Sequence, residues 1–298
     1  MEISEQQVFL KRDYSKIREL SDKAIETAEL LSQESDKFIN HFENHIQFKI
    51  DTLNSVICLL DSAMNKIPLD KKTIETFSHG NILFSEAKSA FVQQNFKLSN
   101  SKVSEAEKCI NTVYQNLKEV MQTYFEQHKE WSKWKEETVK WSKKNKATAI
   151  IVDKCEKTCM VYQNGKMTRK FNVELGPNWI GDKRQKGDRA TPEGKYLVTK
   201  KINGRHTKYY KALLINYPND EDQKRFELEK KNGTLPKNAD IGGLIEIHGD
   251  GGKGFNWTNG CVALTNKDMD IVYSLAGAGT PVTIIGSEKE LKDVVKLD

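Results

Sequence analysis

A thiol can carry out acyl transfer when it has a base within hydrogen-bond reach, donors for the oxyanion, and a backbone that a substrate can approach closely. Two stretches offer these parts: Ile245-Glu246-Ile247-His248-Gly249, and Thr258-Asn259-Gly260-Cys261-Val262-Ala263-Leu264, with Cys261 thirteen positions after His248. His248 ends an apolar run and is followed by Gly249, which predicts an imidazole at a strand end, exposed where the chain turns away from the sheet. Gly260 before Cys261 allows the N–H groups of both residues to face a developing oxyanion with no Cβ in the way. Thr265 and Asp268 read as a capping pair that opens a helix over Asn266 to Ala276. Gly277 ends that helix, and Met269, Val272 and Tyr273 form its packed side.

The other reactive residue types lack such a setting. The five cysteines (Cys58, Cys109, Cys155, Cys159, Cys261) are odd in number and scattered, which argues against a disulfide framework and leaves at least one free thiol. Cys58 and Cys109 fall in apolar helical registers and are expected in the core. Cys155 and Cys159 span a hairpin with no second ligand pair, so a core or edge position is favoured over a metal site. His41 and His45 are four apart but have no third ligand, and no metal is expected. Tyr124, Trp131, Trp134 and Trp141 recur at helical spacing and read as packing residues rather than a platform for sugars.

The elements that position these residues divide at Lys146. From Tyr14 to about Asn145 apolar residues recur every three or four positions with almost no Gly or Pro, Ile17, Leu20, Ala24, Ala28 and Leu31 drawing one stripe. Breaks are expected at Asn65 to Asp70, at His79-Gly80-Asn81 and at Ser99-Asn100-Ser101, giving four or five helices in a bundle, with no sustained repeat. After Lys146 the period falls to two. Strands are predicted at Ala147 to Asp153, Thr158 to Gln163 and Lys166 to Leu175, with Asn164-Gly165 as a tight hairpin. Further strands are predicted at Lys195 to Lys200, Leu213 to Asn216, Leu244 to His248 and Val282 to Ile285. A polar helical insertion over Asp220 to Lys231 is a candidate lid. The reading is an α+β chain: an all-α helical domain over 1–146, of unassigned role, then a mainly β domain over 147–298.

Residues 1–150 carry as many acidic as basic side chains, so the whole net charge of +5 lies after them. That bias suits a carboxylate-rich ligand, but it lacks the clustered stripe of a nucleic-acid binder, and no nucleic acid is expected. No stretch reaches the roughly 18 apolar residues of a membrane helix. The opening Met1-Glu2-Ile3-Ser4-Glu5 lacks an export pattern.

The His248 and Thr258-Asn259-Gly260-Cys261 pair resembles the YkuD-type L,D-transpeptidases, whose signature is a His, an interval of more than ten residues, then Ser or Thr, His, Gly, Cys. Gly187-Asp188-Arg189-Ala190-Thr191-Pro192-Glu193-Gly194-Lys195-Tyr196 is similar to that family's turn before a central strand, and Gly279-Thr280-Pro281-Val282 to its last strand. Asn216-Tyr217-Pro218-Asn219, with the two motifs around His248 and Cys261, resembles the YafK-like branch. The resemblance implies a β-sandwich or barrel domain with Cys261 as nucleophile, His248 as base, Gly249 orienting the imidazole, and Gly260 and Cys261 as oxyanion donors. It implies Trp257, Thr258, Asn259 and Tyr217 as substrate-binding residues, peptidoglycan stem peptides as substrate, and no metal or organic cofactor. A D-amino acid or a protein amine would be the acyl acceptor, and the place of action would be the periplasm or cell envelope. Asn259 stands where the signature has its second His, and Ala263 where an Arg usually follows the nucleophile. Transpeptidation, L,D-carboxypeptidase or linkage hydrolysis in the YafK manner, and a catalytically silent wall-binding module all stay open at this point.

Overall fold

The computed structural model describes residues 14–64 and 67–294. The Met1–Glu5 segment, with Asn65 and Lys66 from the first expected helix break, lies outside them. Four helices come first: α1 (Ser15–Met64), α2 (Lys71–Val92), α3 (Phe96–Phe125) and α4 (His128–Asn145). Two expected breaks are continuous helix instead. His79-Gly80-Asn81 lies within α2, where a Cβ on Gly80 would come 2.9 Å from Ile110 Cδ1, so this glycine serves close helix packing rather than a turn. Ser99-Asn100-Ser101 lies within α3, and the buried Ser99 hydroxyl donates to the Ala87 carbonyl at 2.9 Å, tying α3 to α2. The real interruption is at Gln93–Asn95, where Gln94 takes a left-handed φ of 58° and the Asn95 side chain caps Leu98. Cys58 is exposed rather than in the core, and Cys109 is half-buried.

The sheet contains β1 (Thr148–Asp153), β2 (Thr158–Gln163), β3 (Lys166–Asn172), β4 (Gly194–Asn203), β5 (Lys211–Ile215), β6 (Glu246–His248), β7 (Val262–Ala263) and β8 (Pro281–Ile285). Its order is β3-β2-β1-β8-β4-β5-β6-β7, with β1–β8 and β6–β7 parallel and the other pairs antiparallel. Asn164 and Gly165 have φ of 53° and 77°, the twin left-handed residues that a two-residue hairpin needs. Just after β3, Glu174 exchanges both backbone hydrogen bonds with Ala263 of β7, at 2.9 and 2.8 Å. This bridge joins the two ends of the strand order and curls the mixed sheet toward closure. The core inside it holds Ile150, Val152, Tyr196, Leu213, Ile247, Val262 and Ile284, with Met269 and Val272 of α6 (Asn266–Leu275) packed on it. Thr265 caps α6 by accepting from the Asp268 N–H.

The chain forms two compact units. One comprises Met1–Leu60 and Lys71–Val113, the other Asp61–Asp70 and Tyr114–Asp298. The change of hydrophobic period at Lys146 therefore marks where helix gives way to strand, while the unit holding the sheet reaches back to Tyr114. Within that unit α4 packs on β8, β1 and β2. Trp131 is fully buried, its ring filling the space a Cβ on Gly286 would need, and Thr138 shares a 2.6 Å hydroxyl contact with Thr283. Of the aromatic stripe, Tyr124 and Trp131 are buried, whereas Trp141 is 38% exposed. The insertion helix α5 (Asp220–Lys231) is closed by a capping box at Asn219. Arg225 clamps it by ion pairs to Asp182 (2.6 Å) and Asp222 (2.9 Å). A final short helix, α7 (Leu291–Val294), ends the described chain.

Candidate active site

The β6–β7 register sets Ile247 beside Val262 and His248 beside Ala263. Ile247 and Val262 are fully buried in the core. Side chains alternate along a strand, so His248 and Ala263 face the other way, and Cys261 stands two residues before Ala263. The register thus brings the turn that carries Cys261 up to the strand that carries His248.

His248 is 0% exposed, not open to solvent as its strand-end position suggested. The covering comes from the loop between β4 and β5: the Tyr209 ring stacks on the imidazole with centroids 3.7 Å apart and planes 10° from parallel. The Trp257 ring meets it edge-on at 5.9 Å. Nδ1 lies 2.6 Å from the Gly249 carbonyl oxygen. A carbonyl can only accept, so Nδ1 carries the hydrogen and Nε2 presents its lone pair. That Nε2 is buried without a hydrogen-bond partner, at a cost of about 1–3 kcal/mol for a group so placed. Gly249 has its own steric reason: a Cβ there would come within 2.5 Å of Asn266 Oδ1 and 2.9 Å of Tyr210 Cβ.

The turn that carries Cys261 is held by Thr258, whose hydroxyl donates to the Cys261 carbonyl at 2.7 Å and accepts from the Gly260 N–H at 3.2 Å. The Gly260 N–H is therefore engaged within the turn, which differs from the free oxyanion donor expected there. Gly260 has φ of 121°, and a Cβ would approach the Ala190 carbonyl oxygen to 2.6 Å, so only glycine fits. Cys261 is half-buried, and its Sγ lies 3.7 Å from the Leu244 carbonyl oxygen. Burial pushes its thiol up to about 11, which a backbone hydrogen bond from Glu246 and the charge of Lys183 offset only in part. Burial likewise holds the imidazole below its ordinary 6.5. At neutral pH both groups are uncharged.

The remaining residues singled out in the sequence are distributed differently. Trp257 donates from Nε1 to Glu174 at 2.6 Å and lies under the Lys253 ammonium, making it a wall of the histidine pocket. Asn259 is exposed on the turn. Tyr217, expected at the substrate, is instead a core residue at 5% exposure, packed edge-on to Tyr196 at 6.2 Å. It follows β5 at an inward-facing position, which decides its fate. Ala263 is buried beside His248, and a groove of about 490 Å³ borders it, lined also by Glu174, Gly254, Asn256 and Thr265. Sequence reasoning missed Tyr209 and Glu174; neither belongs to a motif, and only the strand register brings them to the site. Among the described residues no group of three or more His, Cys, Asp or Glu side chains is placed to hold a metal ion. No helix among them is long and apolar enough to cross a membrane.

Residues 147–284 match the family model of the L,D-transpeptidase catalytic domain, YkuD. YafK of Escherichia coli strain K12, named as an L,D-transpeptidase, is 31% identical over 104 residues, which are 35% of this chain and 33% of that protein. The chain thus matches about a third of the length of this curated relative. Among solved structures, an L,D-transpeptidase from Xylanimonas cellulosilytica aligns with TM-score 0.32 at 15% identity, covering 47% of this chain and 60% of that one. L,D-transpeptidase 1 of Mycobacterium tuberculosis aligns with TM-score 0.30 at 15% identity, covering 47% and 62%. Over residues 147–284 the chain is therefore similar to the L,D-transpeptidase catalytic domain, and a helical region precedes that match.

Proposed function

We propose that this chain is a peptidoglycan-modifying acyl-transfer enzyme with Cys261 as nucleophile and His248 as base. The observation that carries the reading is the His248 Nε2 lone pair, buried without a partner while Nδ1–H is tied to Gly249, in a strand paired with β7, which Cys261 immediately precedes. A buried nitrogen left unpaired at a structural cost calls for a role, and accepting a proton is the role its tautomer permits.

Both partners are neutral at pH 7, so the thiol proton passes to Nε2 as Sγ attacks the carbonyl of the L-centre of the stem-peptide diamino acid. The tetrahedral oxyanion takes the Cys261 N–H as donor. Its collapse breaks the C–N bond, imidazolium Nε2–H gives its proton to the departing amine, and a thioester remains. An amine acceptor then completes transpeptidation, or water completes hydrolysis, His248 again removing the attacking group's proton. Hydrolysis in the YafK manner is the second reading. It rests on Ala263, which brings no cation to the position beside His248. The setting for either is the cell envelope, where this substrate lies. Product analysis by mass spectrometry, with a stem tetrapeptide and with or without a D-amino acid, tests both: exchange product supports transfer, and tripeptide in both arms supports hydrolysis. No acyl-enzyme with any stem peptide, and no effect of Cys261→Ala, would leave only a silent wall-binding module.

A further inference from the structure

We infer that Tyr209 is a positioning residue for the base: its ring seals the His248 imidazole from water and fixes it in plane and tautomer. The inference rests on the assignment of His248 as the base. Tyr209 belongs to a strap, Gly204 to Tyr210, that links β4 to β5 through a single 3-10 turn. Within the strap the Tyr209 N–H donates to the Thr207 hydroxyl at 2.9 Å. Its end is fastened by the Tyr210 N–H, which donates to Asp250 at 3.3 Å, and by the Tyr210 hydroxyl, which donates to Asp270 at 3.2 Å. The absent Cβ of Gly249 admits Tyr210 this closely, and the β5–β6 register, Ala212 opposite His248, sets the strap's end directly over the histidine.

A face-to-face stack at 3.7 Å permits little rotation of the imidazole about its own plane. With Nδ1–H held by Gly249, the one remaining freedom of the ring, tilting out of that plane, is closed by Tyr209 above and the Trp257 edge. The titratable groups facing His248 are Asp250 and Lys253 from its own loop and Tyr209 from the strap, and Tyr209 in turn senses Cys261. Tyr209 is the one whose ring covers it.

The test uses the full chain labelled with ¹⁵N-imidazole histidine, with the His248 signal assigned by its loss in His248→Gln. Tyr209→Phe keeps the ring; Tyr209→Leu removes it, and Tyr209→Gln replaces Leu should that variant fail to fold. The expected result for Tyr209→Phe is an unchanged His248 titration, tautomer and acylation rate. In the ringless variant the His248 midpoint rises toward 6.5, the Nδ1–H preference weakens, and Cys261 acylation by stem peptide slows roughly tenfold to a hundredfold. An unmoved titration and rate in the ringless variant, or equal damage from Tyr209→Phe, overturns the inference. The titration is read without any substrate, so a chain that acylates no stem peptide would defeat the proposed reaction and still report on Tyr209.

Discussion

Two buried polar clusters lie in the same compact unit and differ in one respect. Around Lys154, fully buried, every group is matched. Its ammonium donates to the Gly181 and Thr191 carbonyls and to Glu193 at 2.7–2.8 Å, while Glu193 also accepts from the Tyr124 hydroxyl (2.7 Å) and Trp131 Nε1 (3.1 Å). Around His248 the matching stops halfway: Nδ1 is satisfied, Nε2 is not, and the Cys261 thiol has a long contact to the Leu244 carbonyl beside a backbone hydrogen bond from Glu246. The first arrangement satisfies buried charge and can only stabilise. The second leaves a lone pair and a thiol with unused capacity, which is what a reaction needs and a scaffold avoids.

The sharpest way to break this contrast is to remove the helix that completes the first cluster. A fragment 147–298 lacks Tyr124 and Trp131, leaves Glu193 short of two donors and uncovers β8, so no cooperative thermal transition is expected; a fragment 114–298 keeps them and should melt as one unit. Equal melting of the two fragments would show that the Lys154 cluster is not part of the domain's core.

Cys261→Ala should abolish thioester formation, a loss of at least about 10⁴-fold, because no other group takes over as nucleophile. The melting temperature should stay within experimental error, since the half-buried thiol fills little core volume. A strong loss of stability would move Cys261 to the structural side of the comparison.

Lys154→Met has the opposite signature. It strands a buried carboxylate, which costs about 3–5 kcal/mol in urea unfolding, while acylation per folded molecule is retained. Pairing it with Glu193→Leu should recover part of the loss.

The smallest effect concerns pH. With the Cys261 thiol pushed up to about 11 and His248 below 6.5, there is no thiolate–imidazolium pair to lose. In a Cys58→Ser background, needed because Cys58 is exposed, iodoacetamide alkylation of Cys261 should be slow at pH 7 and climb only in the alkaline range, with His248→Ala changing it little. Acylation by substrate, by contrast, should rise as pH passes upward through the lowered His248 pKa, because the neutral imidazole is the active form. Rapid alkylation at pH 6 that His248→Ala removes would establish the ion pair instead.

The proposed pair, Cys261 and His248, was singled out from residues alone because acyl transfer demands rare types in close association. A histidine ending an apolar run and a Gly-Cys step within a polar turn satisfy few other purposes. Most strand positions were legible too, since alternation and the Asn164-Gly165 dipeptide are local signals, but the two-residue β7 was not, and β3 ends at Asn172 rather than Leu175. The helix breaks were misread where Gly80 and Ser99 serve contacts between helices, a use that no local pattern distinguishes from a turn.

By itself, then, the sequence determined the order of helices and strands, the hairpins and caps, and the identity of the pair at 248 and 261. Those properties depend on neighbours within a few positions. The tertiary structure alone decided that His248 is sealed from water, that Tyr209 rather than Tyr217 lies against it, and that α4 belongs with the sheet. It also decided that Gly260 spends its N–H on Thr258. Each of these depends on strand register and on packing between residues tens of positions apart, and burial, protonation and ring stacking are set by what arrives from the far side of the fold.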